Sequence, residues 1–173
     1  LTITDYFTET FRAEHRQVRD LLLALIAAFR AGDPRRISAL VSALSAATGP
    51  HFRYEEEAMY PVLVSVFGRE YVDKLLSDHD GTIRNVRELA ELAELYRPAD
   101  LYWPDEPDEA QAAWGIELTR EILPHVSDCD GLSLMVETLP EDDVVHILAT
   151  RDVARESNLD LLTWAGTVRG RHV

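Results

Sequence analysis

Apolar residues recur at three- and four-residue intervals along most of this chain, the spacing that lines one face of a helix. Phe7, Phe11, His15, Val18, Leu22, Leu25 and Phe29 form the first stripe and predict a helix from about Thr4 to Arg30. Arg12, Arg16, Arg19 and Asp20 occupy its opposite face. Ala31-Gly32-Asp33-Pro34 ends it, with Asp33 placed to cap a second helix and Pro34 at that helix's first position. The second helix extends to about Val66 and contains Gly49-Pro50. A proline lacks the N–H and crowds the preceding turn, so a kink or a short loop is expected just ahead of His51. Val72, Leu75, Leu76, His79, Ile83, Val86 and Leu89 predict a third helix over Arg69 to Tyr96. Gly81 interrupts it, at a cost of about 1 kcal/mol relative to Ala. The segment RPADLYWPDEPD, residues 97–108, reads as a loop with Tyr102-Trp103 anchoring it on the helices. Trp114, Leu118, Ile122, His125, Cys129 and Leu132 mark a fourth helix from about Glu109 to Val136, with Pro124 a second kink position. Beyond Leu139-Pro140 the pattern predicts one helix over residues 140–156 and a short amphipathic piece near Leu159 to Trp164. No strand pattern, repeat or Gly-rich phosphate loop interrupts this order. The expectation is an all-α protein, with residues 1–139 a four-helix bundle and residues 140–173 a C-terminal helical extension packed on it.

Composition narrows the functional classes. At 173 residues and 46% hydrophobic content the chain suits one domain with a real core. A net charge of −14 argues against nucleic acid and against an anionic membrane surface as partners. The single cysteine, Cys129, cannot form an intrachain disulfide. No apolar run approaches the roughly 20 residues that span a bilayer. The opening LTITDYFTETF lacks the charged and apolar regions of a signal peptide, so the cytoplasm is the expected location.

The candidate chemistry lies inside the stripes. His15, His51, His79 and His125 fall one to a helix, each on an apolar face, while His146 and His172 lie outside the bundle helices. Glu55 follows His51 by four residues and Asp130 follows His125 by five. Residues four apart on a helix share a side, with Cβ atoms about 5–6 Å apart. One buried imidazole is commonly a satisfied core residue. Four imidazoles and two carboxylates buried together leave many polar groups to satisfy unless they hold metal. Imidazole and carboxylate donors suit iron, manganese or zinc, and structural zinc usually recruits cysteines. This donor set exceeds the needs of one tetrahedral ion and suits two ions bridged by carboxylates inside a bundle.

These residues resemble the hemerythrin family, including its HHE cation-binding relatives. The likeness rests on His15 in EHRQVRDLL, on His51 and Glu55 in HFRYEEEAMYP, on His79 in DHDGTIRNV, and on His125 and Asp130 in HVSDCD. It covers about residues 10–135, and HFxxEExxxYP is its most specific part. The resemblance implies an up-down-up-down four-helix bundle around two bridged non-haem irons, ahead of manganese or zinc. It further implies that His15 and His51 bind one iron, that His79 and His125 bind the other, and that Glu55 and Asp130 bridge them.

Two departures from the family pattern matter. Oxygen carriers have HxxxH on the third helix, and here Ile83 stands four residues after His79. That iron is left with water, an open position or another carboxylate, and Glu121, one turn before His125, is the candidate; a solvent-facing glutamate is the alternative. Many HHE proteins have HxxxE on the fourth helix, and Cys129 takes that place. Asp130 would then reach the metals through the five-residue spacing of true hemerythrins, helped by a local π-bulge. Cys129 itself is either an iron ligand or a buried packing thiol. Glu56 and Glu57 read as a solvated face or as partners of Arg12, Arg16 or Arg53, and Tyr54 and Tyr60 as core or as hydrogen-bond partners of the ligands. The function classes left open are binding or sensing of dioxygen, nitric oxide, peroxide or iron, a di-iron oxidase, peroxidase or catalase-like enzyme, and an interaction domain with a vestigial site. The tail is placed to cover one end of the bundle or to meet a second copy in a homodimer.

Overall fold

Each long helix begins and ends where its local chemistry directs. In the computed structural model, which describes residues 1–96 and 108–169, helix α1 spans Ile3–Ala31. Thr2 and Asp5 exchange side-chain hydrogen bonds with each other's backbone N–H at its start. Gly32 closes it in the left-handed region at φ 62°. Asp33 caps α2 (Pro34–Tyr54) by accepting from the Arg36 N–H at 3.0 Å. A π-helical turn, Glu55–Met59, joins α2 to α3 (Tyr60–Phe67). Then follow α4 (Arg69–Leu95), α5 (Glu109–Asp130), the short α6 (Leu132–Val136), α7 (Glu141–Ser157) and α8 (Leu161–Arg169). The described residues form an all-helical bundle. Tyr102-Trp103 and most of the expected loop lie outside the described residues.

The short loop that was one expectation at Gly49-Pro50 is absent, because α2 runs unbroken through both residues. The glycine answers to packing instead. A Cβ there would collide with the Leu159 carbonyl oxygen, where the α7–α8 connection crosses α2. Helix α1 packs on α2 and α5, α4 packs on α2 and α5, α7 lies against α1 and α2, and α8 lies against α2 and α4.

The core divides into two apolar clusters. One contains Leu22, Phe29, Leu44, Val86, Ile122 and Trp164. The other contains Phe7, Phe11, Tyr54, Leu75, Val136 and Ile147. Helices α1 and α4 pass from the second cluster to the first, whereas α2 and α5 pass from the first to the second. All four bundle histidines sit where their helices change cluster: His15 between Phe11 and Val18, His79 between Leu75 and Ile83, and His125 between Ile122 and Cys129. His51 likewise follows Leu44 and precedes Tyr54. The polar groups therefore form one layer at the waist of the bundle, sealed from both ends by hydrocarbon. The tail supplies part of that seal through Ile147 and Trp164.

One expected core residue is displaced. Trp114 is 48% exposed, and the inward place belongs to Gly115, whose Cα hydrogen faces the Phe29 ring. An Ala at 115 would drive its Cβ into that ring, so Gly115→Ala should destabilise the protein by about 1–3 kcal/mol, the usual cost of overpacking. At Gly81 an added Cβ would meet nothing closer than the Arg84 guanidinium at 3.7 Å. Gly81→Ala should therefore stabilise by up to about 1 kcal/mol through helix propensity alone. Thermal or denaturant melts of the two variants should shift in opposite directions.

Candidate metal centre

The histidines meet in two pairs. The rings of His15 and His51 have centroids 4.6 Å apart at an interplanar angle of 80°, and those of His79 and His125 are 4.8 Å apart at 82°. Glu55 stands between the pairs with no solvent exposure. One of its oxygens, Oε1, lies 3.3 Å from His51 Nε2, and the other, Oε2, lies 3.1 Å from His79 Nε2. Neither approach has hydrogen-bond alignment, so both carboxylate oxygens are buried without a donor. A buried anion in that condition calls for positive charge.

The electrostatics follow. Burial opposes ionisation of Glu55, yet the positive charge of His51 and the nearness of His79 hold its carboxyl well below the usual range. Burial likewise works against protonation of His51, but Glu55 and Glu14 outweigh it and raise the imidazole to about 10. His79 is raised against the same burial cost by Glu55 and Glu56. His15 and His125 are pushed the other way, to about 4 each, by burial and by their positive neighbours His51 and His79 respectively. Each pair thus combines one basic imidazole beside Glu55 with one that remains neutral at neutral pH.

The outer nitrogens are held as ligand histidines usually are. Glu14 Oε2 accepts from His51 Nδ1 and from the Tyr54 hydroxyl, each at 2.8 Å, while its Oε1 accepts from Arg151 Nε at 2.7 Å. Burial opposes the Glu14 charge, and His51, Arg151 and Tyr54 overcome it and hold the carboxyl at about 2. Glu56 Oε1 accepts from His79 Nδ1 at 2.8 Å and from Arg169 Nη2 at 2.6 Å. His15 donates Nδ1–H to the Phe11 carbonyl at 2.8 Å. The Tyr60 hydroxyl lies 2.9 Å from His79 Nε2, on the interior side. Sequence reasoning left Tyr54 and Tyr60 between core and partner roles, and both hydroxyls face the site. It missed Glu14, Arg151 and Arg169 altogether, because partners 37, 137 and 113 residues away leave no local signal. Glu56 leaves the solvated face it was read on and serves His79; Glu57 pairs with Arg53 at 3.1 Å.

The fourth helix distributes its groups differently from the sequence expectation. Helix α5 is regular to Asp130, and the π turn lies at Glu55–Met59 instead. Asp130 is half-buried and, with His15, Arg16 and Arg19, lines a groove of about 500 Å³; its charge acts on the His15 imidazole. Glu121 accepts a hydrogen bond from Asn85 at 2.9 Å on the exposed side, at the rim of a second groove that reaches His125. Cys129 is fully buried, and its sulfur, a His15 nitrogen and a Glu55 oxygen all lie within 4.8 Å of one another. Burial pushes its thiol well above the ordinary range, and the Glu55 charge adds to that.

The hemerythrin HHE cation-binding domain matches residues 6–131, so the chain belongs to that family. No curated protein and no solved structure matches it. The matched span contains the four histidines, Glu55, Cys129 and Asp130, and it ends before α7 and α8.

This geometry ranks three adjacent glutamates. Glu55→Ala should abolish tight metal uptake. Glu56→Ala should weaken it by about 10–100-fold, the usual effect of removing a ligand's outer partner. Glu57→Ala should leave it unchanged. Metal titrations monitored by equilibrium dialysis test this order, and equal affinities across the series would contradict it.

Proposed function

We propose that the protein is a non-haem di-iron protein of the hemerythrin type that binds or responds to a small molecule such as dioxygen, peroxide or nitric oxide, or to iron itself. One observation carries the reading: Glu55 is a fully buried carboxylate with one oxygen turned to each histidine pair and no hydrogen-bond donor for either. A donor set of that form fits two cations on either side of one carboxylate. His15 and His51 would hold one iron, His79 and His125 the other, with Glu55 between them. Bound iron would supply reversible redox chemistry and open coordination positions. The protein's own groups orient the imidazoles through Glu14, Glu56 and the Phe11 carbonyl, and exclude water with the two apolar clusters. The alternation of α1, α2, α4 and α5 between these clusters supports the up-down-up-down topology of the family.

A second reading, a di-iron oxidase, peroxidase or catalase-like enzyme, draws on Ile83. This residue occupies the place of the oxygen carriers' additional histidine, one turn after His79, and it is buried in the core at 3% exposure. The His79 side therefore has fewer nitrogen donors, which would leave a coordination position for an exogenous ligand, and a groove reaches its partner His125.

Anaerobic iron loading followed by metal analysis should give two irons per chain; one or none at saturation would sink the di-iron reading. Loading at neutral pH should also release protons. His51, raised to about 10, carries one that must leave before its nitrogen can bind metal. Metal affinity should therefore rise with pH, and calorimetry in buffers of different ionisation enthalpy measures the protons released.

Azide should bind the iron-loaded wild type and produce a charge-transfer band. Ile83→His should retain both irons and weaken that band. Identical azide titrations in the two proteins would argue against an open position beside His79.

A further inference from the structure

Cys129 occupies the site's interior where a carboxylate was expected. It follows His125 by one helical turn and so shares that residue's face of α5. Residue 130 is rotated by a further step and lines a groove that also reaches His15. A lone buried cysteine is ordinarily a small packing group. Here a second observation points to a ligand. Both Glu55 oxygens are fully buried and lack hydrogen-bond donors, and one of them lies within 4.8 Å of the sulfur. His15 commits Nδ1 to the Phe11 carbonyl, which leaves Nε2 for the interior. Nitrogen, oxygen and sulfur donors from α1, the π turn and α5 thus converge within 4.8 Å without satisfying one another.

The other polar neighbours of the sulfur do not account for its position. The two His125 ring nitrogens lie 3.6 and 3.5 Å away, nearly equidistant, so the sulfur is committed to neither of them. The Tyr60 hydroxyl is at 4.0 Å, the outer limit for a sulfur hydrogen bond.

We propose that Cys129 is a metal ligand, its thiolate completing with His15 and Glu55 the donor set of one ion. The proposal rests on the metal-centre reading above and deepens it. On coordination the S–H bond breaks, the sulfur keeps the electron pair and donates it to the cation, and the proton leaves to solvent; no oxidant or reductant is involved. The result is a mixed nitrogen, oxygen and sulfur centre. Thiolate is the softest donor in the set and favours iron, cobalt or zinc over manganese. The two halves of the centre would then differ in kind, with sulfur assigned to the His15 half.

Cobalt(II) provides a test that does not depend on activity. Its visible d–d bands report coordination in a protein cavity, and a near-ultraviolet sulfur-to-metal charge-transfer band reports a thiolate. Anaerobic titration of the full metal-free chain should develop both. Cys129→Ser and Cys129→Ala should lose the near-ultraviolet band and keep visible absorbance, whereas Asp130→Asn should keep both. Visible bands without charge transfer in the wild type would overturn the thiolate assignment while leaving the metal centre standing. No cobalt absorbance at all would remove the metal-centre reading and this proposal together. If neither cysteine variant folds, the wild-type spectrum alone decides.

Discussion

The Glu55 carboxylate is removed from water at the waist of the bundle, with both oxygens lacking a hydrogen-bond donor. An anion in that position is costly unless cations stand beside it. The surrounding architecture supplies them. His51 and His79 each approach one of the two oxygens; His51 takes up a proton far more readily than an ordinary imidazole, and His79 is shifted in the same direction. The apolar clusters above and below lower the local dielectric, which strengthens the attraction and increases the penalty for leaving the charge alone. Protons and metal ions are thus alternative answers to one electrostatic demand. A cation of higher charge would displace the protons that these groups otherwise hold.

The outer support of the site comes from two chains of charge that run in parallel. Arg151 holds Glu14, which holds His51; Arg169 holds Glu56, which holds His79. Each carboxylate fixes its imidazole's orientation and increases its basicity, and each is itself held by an arginine. His15 depends only on a backbone carbonyl of its own helix. The imidazoles that face Glu55 are therefore the ones tied to distant parts of the chain. Both arginines lie on α7 and α8, beyond the span shared with the family.

Much of this was legible from spacing, because stripes at helical intervals and a histidine one turn before a glutamate are local facts. The helices came out close to their expected limits, and the four histidines lie on their buried faces. Spacing failed where the backbone or a distant contact decided. The π turn gives residues 55–59 a wider winding than a 3.6-residue helix, and the Tyr60 N–H bonds back to the Glu55 carbonyl. Tyr60 is thereby turned toward His79, a direction that an α-helical count does not give. Trp114 loses the inward place to Gly115 because the Phe29 ring already fills it. Cys129 and Asp130 differ by one step of rotation, enough to bury one fully and leave the other half-buried in a groove beside His15. The salt-bridged glutamates were invisible as such, since their arginines lie more than a hundred residues away.

The two arginines also follow every one of the bundle histidines in the chain. A chain is synthesised from its N-terminal end. The inner donors therefore exist before the cations that brace them. A nascent bundle would hold Glu14 and Glu56 without their guanidinium partners, and its imidazoles would turn more freely. Docking of α7 and α8 is the step that brings Arg151 to Glu14 and Arg169 to Glu56, after the histidine-bearing helices have been made.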